Sequence, residues 1–309
     1  MSSTTSTPTT TFTLPDTTPS IPVTHPSSVT KDQLLSFPAF KTWLNTLQRS
    51  LSLQYSAATH PFHKSPYSLR SIEIQSVDFF SGHRLGFLKL KATVTNDEGE
   101  SLPGSVFMRG GSVAMLIILT PLPLPSLSSE QSPPTTSQAL PLPGEEEYAI
   151  LTVQPRIPAG SLNFVELPAG MIDDSGTFAG AAAKEIQEET GLEISSDELI
   201  DMTQLASSST ITRPGPGPQE NTPEEQLQSA IYPSPGGSDE FIPIFLARKT
   251  LPRPQIETLR GKFTGLRDHG EKITLRIVRL HEVWKVTWRD GKTLAAMALY
   301  EGLKGEGKL

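Results

Sequence analysis

Cysteine is absent from the 309 residues of this chain. Its absence excludes disulfide frameworks, thiol nucleophiles and zinc sites built on cysteine. The sequence also lacks any run of about 18 apolar residues, the length that a membrane-spanning helix needs. Basic residues are too few for a surface that follows nucleic-acid phosphates, because 26 Lys and Arg stand against 33 Asp and Glu. We therefore expect neither a membrane nor a nucleic-acid partner.

The first 34 residues are rich in Ser, Thr and Pro and contain few apolar side chains. Such a composition predicts a disordered tail. A transit peptide shares the shortage of acidic residues but carries arginines, and no arginine occurs before Arg49. The apolar stretch of a secretion signal is missing as well. We expect a cytoplasmic protein, with an organelle left open.

Residues 35–104 contain two successive hydrophobic patterns. Apolar residues recur at helical spacing from Phe40 to Leu51, and beyond Arg70 they alternate with polar residues as in paired strands. With 36% hydrophobic residues, the chain can bury a core in one large domain or two small ones. We predict a small helix-plus-antiparallel-sheet subdomain here and a larger domain at 105–309.

The larger segment mixes strands and helices. Apolar runs at 112–120 and 148–153 predict strands, and residues 292–303 predict a closing helix. Two Pro-rich stretches without periodicity, 121–147 and 206–228, are interpreted as loop insertions. This order predicts an α+β fold with a mixed sheet and helices on both faces.

One acidic helix is the most informative part of the sequence. Thr177 can cap it and Gly191 can end it. Glu185, Glu188 and Glu189 stand at positions i, i+3 and i+4, so their carboxylates project from one face. A hard divalent cation such as Mg²⁺, which prefers oxygen ligands, offsets the repulsion between like charges. The residues alone leave a solvated acidic helix end as the other interpretation.

The stretch that contains this helix resembles the signature of the Nudix hydrolases, G-x5-E-x7-R-E-U-x-E-E-x-G-U, where U is aliphatic. Gly170 opens the match, which needs no gap. Two positions depart, because Gly176 replaces the first Glu and Lys184 replaces the Arg. In the family those two residues are thought to brace the loop against the helix and not to carry the chemistry. With both of them replaced, an enzyme of reduced activity remains an alternative. The second half of the motif is filled by Glu185, Ile186, Glu188, Glu189, Gly191 and Leu192.

The resemblance implies an α/β/α sandwich that hydrolyses a nucleoside diphosphate linked to another group. By their positions in the motif, Glu185 and Glu189 are implied as the main metal ligands. Glu188 is implied beside them, as a ligand and a catalytic group. The carbonyl of Ala169 is implied as a further ligand, and Gly170 as part of the substrate site. The implied metal is Mg²⁺, with Mn²⁺ as a substitute.

Two arginine motifs indicate a subgroup. Gln154-Pro-Arg156 resembles the Q-x-R of the ADP-sugar pyrophosphatases, and Arg109-Gly-Gly resembles the start of their catalytic sheet. An arginine can donate hydrogen bonds to two oxygens of one phosphate at once. Either arginine in isolation is more often a surface charge, so the assignment of Arg156 and Arg109 to the substrate depends on the subgroup resemblance.

A loop from Tyr232 to Glu240, with the sequence Y-P-S-P-G-G-S-D-E, supplies a further signal. It resembles the P-S-P-G-x-x-x-E loop that carries the water-activating glutamate in ADP-ribose and ADP-glucose pyrophosphatases. The resemblance implies Glu240 as the catalytic base, Asp239 as the second choice and Gly237 as a substrate contact. The other interpretation is an acidic loop tip.

A last loop, T-G-L-R-D-H-G-E at 264–271, resembles one of the plant-type ADP-sugar pyrophosphatases. It implies Arg267, His269 and Glu271 as contacts to the substrate sugar or to a second subunit. In this subgroup the smaller N-terminal part packs across a homodimer, which we expect of residues 35–104.

We therefore expect an ADP-sugar diphosphatase that cleaves ADP-ribose or ADP-glucose to AMP and the sugar phosphate. Two other functions stay open. One is a Nudix hydrolase for another diphosphate, such as a dinucleotide, coenzyme A or a damaged nucleoside triphosphate. The other is a Nudix-fold module that binds nucleotide sugars without cleaving them, an alternative that Gly176 and Lys184 keep open.

Overall fold

The computed structural model describes residues 8–15, 17, 19–122, 146–172, 177–208, 225–265 and 272–309. The chain divides into two compact units. The first unit comprises residues 1–111 and 211–241, and the second comprises residues 112–210 and 242–309. The domain bounds predicted from the sequence, a tail at 1–34, a subdomain at 35–104 and a larger domain at 105–309, stay a prediction.

The first unit is a sheet covered by two helices. Its elements are β1 (Thr9–Thr13), β2 (Pro22–Pro26), α1 (Lys31–Ser36), α2 (Pro38–Ser56), β3 (Ser68–Phe79), β4 (Leu85–Thr95), β5 (Ser101–Leu102) and β6 (Ser105–Met108). The strands follow chain order from β1 to β5, and β6 also pairs with β4. Leu34 of α1 and Phe40 of α2 are fully buried against Ile72, Leu88 and Leu90 of the sheet.

The prediction of a disordered tail at residues 1–34 is wrong for the part of this segment that the structure describes, which contains two strands and the start of α1. Residues 9–13 and 22–26 form an antiparallel strand pair, and Val23 lies beside Ile72 in a parallel pairing with β3. Val23 is fully buried. A few apolar side chains in a polar segment are enough when a sheet edge offers both a core and backbone hydrogen-bond partners, which composition alone does not reveal.

The second unit is a layered α/β/α structure. Its elements are β7 (Ser112–Pro121), β8 (Tyr148–Arg156), β9 (Ser161–Glu166), β10 (Ala169–Met171), α3 (Phe178–Thr190), β11 (Ile200–Asp201), α4 (Met202–Ser207), β12 (Ile244–Leu251), α5 (Arg253–Leu259), β13 (Phe263–Thr264), β14 (Ile273–Arg279), α6 (Val283–Thr287) and α7 (Gly291–Gly305). The strand order is β11-β12-β7-β8-β14-β13, with β10 paired to β7 and β9 paired to β8. The β7–β12 pair is parallel and the others are antiparallel, so the sheet is mixed as predicted.

Alternating side chains of β7 face opposite sides of the sheet, and each side is covered by helices. Val113, Met115 and Ile117 pack in one core with α3 and α5. Ala114 and Leu116 are fully buried on the opposite face, where α4 and α7 lie. Helices on both faces of a mixed sheet confirm the predicted fold class.

The two predicted insertions are only partly covered by the structure. Residues 123–145 of the first and 209–224 of the second lie outside the described residues. Residues 206 and 207, at the predicted start of the second insertion, belong to α4 instead. Among the helices that the structure describes, none is long and apolar enough to cross a membrane.

Candidate active site

Helix α3 begins and ends where the sequence predicts. The Thr177 hydroxyl accepts a hydrogen bond from the Gly180 N–H at 3.1 Å, and Gly191 ends the helix with a φ of 75°. Ala182 and Ile186 are fully buried in the core below. This anchoring fixes which side of α3 faces the sheet and therefore where its carboxylates lie.

Glu189 is a buried carboxylate, with 4% of the residue exposed. Its Oε2 accepts a hydrogen bond from the Ala169 N–H at 3.0 Å, and Gln154 Nε2 lies 3.5 Å from its Oε1. Burial raises the pKa of Glu189 to about 8, and the negative charge of Glu185 adds to the shift. The side chain is thus held in place from two strands while its negative charge is disfavoured.

Glu185 lies against the backbone of Gly170, the residue that opens the motif. A Cβ at position 170 would lie 1.8 Å from Glu185 Cδ and 2.0 Å from its Oε1. Only a residue without a side chain leaves the carboxylate in this position. The structure therefore brings Gly170, Glu185 and Glu189 together, as the motif implies.

Glu188 is half-buried on the same helix. Within the described ranges, no group of three or more His, Asp or Glu side chains is arranged to hold a metal ion. Glu185 and Glu189 are close enough for the charge of one to raise the pKa of the other, whereas the role of Glu188 stays a prediction. The role of the Ala169 carbonyl also stays a prediction, whereas the N–H of Ala169 has a defined part in orienting Glu189.

The Glu185–Glu189 pair fits a hard divalent cation. Its donors are carboxylate oxygens, which suit Mg²⁺ or Mn²⁺ better than a soft metal. Mg²⁺ in proteins is commonly held by one or two carboxylates while substrate phosphates and water fill the other positions. A cation would also offset the repulsion that disfavours the charge on Glu189.

Arg156 lies beside this pair and belongs to a second cluster. Its Nε donates to Glu166 Oε1 at 2.6 Å, and its positive charge lowers the pKa of Glu189 while burial holds that pKa high. Glu166 is also paired with Lys292, whose Nζ lies 3.1 Å from Asp290 Oδ1. The sequence motifs single out Arg156, whose role stays a prediction, but they do not single out Glu166, Lys292 or Asp290. A charged residue inside the apolar run 162–167 was the one available signal for Glu166.

The loop that ends at Glu240 belongs to the first unit, where it contacts the segment around Arg109. Arg109 Nη1 lies 2.9 Å from Glu240 Oε1. Asp239 Oδ1 accepts a hydrogen bond from the Arg109 N–H at 2.8 Å, and its Oδ2 accepts one from the Gly110 N–H at 3.1 Å. Burial raises the pKa of Asp239 despite these bonds. The carbonyl of Gly237 accepts from the Phe107 N–H at 2.8 Å.

Asp239 and Glu240 thus differ in what they contact. Asp239 binds backbone groups, which is a structural task, whereas Glu240 contacts a side chain and keeps 16% of its own side chain exposed. The site roles predicted for Arg267, His269 and Glu271 fall outside the described residues, as does Gly176. Lys184 is described and lies on the exposed side of α3.

The chain is similar to a known family model, to a relative in Arabidopsis thaliana and, more distantly, to a solved structure. A family model described as NUDIX domain matches residues 136–297. Nudix hydrolase 14, chloroplastic, from Arabidopsis thaliana is 36% identical over 270 residues, which cover 87% of this chain and 71% of that protein. A solved structure titled as an ADP compounds hydrolase superposes with a TM-score of 0.41 and 14% identity, covering 78% of this chain and 99% of that chain.

Proposed function

Because this chain belongs to the Nudix family, whose members hydrolyse pyrophosphates and generally use divalent metal ions, we propose that it is an ADP-sugar diphosphatase. It cleaves ADP-ribose or ADP-glucose to AMP and the sugar phosphate. The observation that carries the proposal is the placement of the buried Glu189 and of Glu185 at the Gly170 backbone, with Arg156 beside them.

Four residues of the second unit have distinct tasks in this proposal. Glu185 and Glu189 hold the cation, and the Ala169 N–H keeps Glu189 aimed. A divalent cation, when bound, neutralises charge on the diphosphate oxygens. Arg156 binds phosphate oxygens through its two Nη groups, which make no hydrogen bond to the residues that the structure describes.

Glu240 is the proposed base. It accepts a proton from the attacking water as the water oxygen bonds to phosphorus and the bridging P–O bond breaks. The released phosphate oxygen then takes up a proton. The support for this role is the P-S-P-G-G-S-D-E loop and the ion pair with Arg109, which fixes the direction of the Glu240 carboxylate. Mg²⁺ is the proposed metal, with Mn²⁺ as a substitute.

A substrate panel tests the proposal. Purified protein is assayed with Mg²⁺ against ADP-ribose, ADP-glucose, a dinucleotide, coenzyme A and an oxidised nucleoside triphosphate. The expected result is a kcat/KM for one ADP-sugar at least about 10-fold above every other compound. Absence of AMP release from both ADP-sugars by folded protein, with Mg²⁺ and with Mn²⁺, contradicts it. Turnover of another compound identifies the enzyme as a Nudix hydrolase for a different diphosphate.

We also propose a homodimer, from the subgroup resemblance, and an organelle or the cytoplasm as the compartment. The Arabidopsis relative is named as a chloroplast protein, which supports the organelle. Light scattering on the full chain measures the mass in solution, and a monomer of 33.5 kDa contradicts the dimer. A fluorescent fusion of the full chain decides between the compartments.

A further inference from the structure

The start of helix α7 contacts the end of strand β9 at two consecutive residues. Lys292 pairs with the side chain of Glu166, and the Thr293 hydroxyl accepts a hydrogen bond from the Leu167 N–H at 3.2 Å. We call this double attachment the α7 clamp. Two residues beyond Leu167, the Ala169 N–H binds Glu189. The clamp therefore holds the short segment from which Arg156 and Glu189 both take a partner.

Glu166 needs more than one positive partner. Its side chain is 3% exposed, and a carboxylate buried this deeply is costly unless it is paired and hydrogen-bonded. Arg156 supplies one partner, through Nε alone, and its side chain remains 40% exposed. Lys292 supplies the other. With Lys292 in place, the negative charge of Glu166 is neutralised without any contact from the Nη groups of Arg156.

The position of Lys292 in the first turn of α7 is not explained by helix stability. A cation there faces the positive end of the helix dipole, which is unfavourable. Asp290 already caps the helix by accepting from the Thr293 N–H at 3.3 Å. The Lys292 side chain is only 11% exposed and its Nζ lies between Asp290 and Glu166. Its position is explained by the carboxylates that it contacts.

We propose that Lys292 is a positioning residue for Arg156. By occupying one side of the Glu166 carboxylate, it limits Arg156 to a single contact through Nε and leaves both Nη groups for phosphate oxygens. Without Lys292, the Arg156 fork turns onto Glu166 in a two-bond pairing, which Arg and carboxylate groups favour. The inference rests on the proposed role of Arg156 in phosphate binding.

The test compares KM and kcat of four proteins: wild type, Lys292→Met, Arg156→Ala and the double variant. We expect Lys292→Met to raise KM on the order of 10-fold with a smaller change in kcat, because a charge-assisted hydrogen bond to substrate is weakened. In the Arg156→Ala background, the same change should have almost no further effect on KM. Lys292→Arg, which keeps the positive charge, should have a KM close to that of wild type. Lys304→Met, at the exposed end of α7, is the control.

A further variant separates positioning from stability. Glu166→Gln added to Lys292→Met removes the charge that captures Arg156, so KM should move back toward the wild-type value. Equal KM effects of Lys292→Met with and without Arg156, or a change in Tm with no change in KM, overturn the proposal. If Lys292→Met does not fold, the charge-neutral pair Glu166→Gln/Lys292→Met is compared with wild type and with Arg156→Ala. Its KM should stay close to the wild-type value, and a KM raised as in Arg156→Ala overturns the proposal.

The kinetic cycle can use whichever diphosphate the wild type cleaves best. Failure of ADP-sugar turnover therefore removes the substrate proposal, while the KM comparison still decides the role of Lys292.

Discussion

A Cβ added to Gly170 would lie 1.8 Å from Cδ of Glu185, so the backbone at the start of the motif and the carboxylate on α3 occupy adjoining space. The φ of Gly170 is outside the left-handed region, and an alanine could adopt this backbone conformation. The glycine is therefore required by the neighbouring carboxylate and not by the chain conformation. This contact links the motif's first residue directly to its proposed metal ligand.

Gly170→Ala should reduce activity far more than stability. The obstructing atoms are the end of a flexible side chain, so Glu185 can move away without unfolding the protein, but it then leaves the position in which it holds the cation. We expect kcat/KM to fall on the order of 10²-fold, the effect of a displacement of about 1 Å in an active site. Tm should stay close to the wild-type value.

Gly302→Ala in α7 is the matched control, because a Cβ there meets no atom within 4 Å. It should keep wild-type kinetics. Full activity in Gly170→Ala would show that Glu185 does not need the position it has in this structure.

The stability of Glu189→Gln relative to wild type should increase as the pH rises, in the metal-free protein. The pKa of Glu189 is about 8 in the folded chain, against a model value of 4.5. Between these values the folded state binds a proton that the unfolded state has released, so this group's contribution to stability is lost as pH rises. Glutamine does not titrate in this pH range, so the variant lacks this pH dependence. In EDTA, the Tm of the variant relative to wild type should increase from pH 5 to pH 8.

Glu188→Gln, one residue earlier and half-buried, is the control for this pH series. It should follow the wild-type curve. Parallel Tm–pH curves for Glu189→Gln and wild type would mean that Glu189 is charged in the folded protein at neutral pH.

Asp239→Asn should mainly lower stability and Glu240→Gln should mainly lower activity, although the two residues are neighbours. Asp239 accepts hydrogen bonds from two backbone N–H groups, so an amide that presents an NH₂ to one of them should lower Tm. Glu240→Gln removes the proposed base and should lower kcat by about 10²–10⁴-fold, with a small change in Tm. A catalytic loss confined to Asp239→Asn would transfer the proposed role of base to Asp239.

The sequence predicted features that depend on near neighbours. The cap at Thr177, the end at Gly191 and the shared face of Glu185 and Glu189 follow from spacing within one helix. Glu166 and Lys292 are 126 positions apart in the sequence, so no local pattern predicts that they pair. The burial that raises the pKa of Glu189 likewise depends on strands from other parts of the chain.

The N-terminal strands show the limit of composition. Residues 9–13 and 22–26 resemble a disordered segment by residue type, yet a parallel pairing with β3 orders the second of them. Such edge pairing is decided by what the remainder of the sheet leaves unpaired, which a single sequence does not display. The same reason applies to Asp239, whose backbone partners lie 130 and 129 residues away.

Single-turnover release of AMP by wild type and Glu189→Gln, measured with Mg²⁺ and the better of ADP-ribose and ADP-glucose, tests the central claim most directly. We predict a loss on the order of 10²–10⁴-fold in the variant, the effect of removing a ligand that holds a cation against the diphosphate. The Tm of the variant, measured alongside, shows whether it is folded under the assay conditions, so that unfolding would not account for the loss. A wild-type rate in Glu189→Gln would contradict the assignment of this carboxylate to the metal.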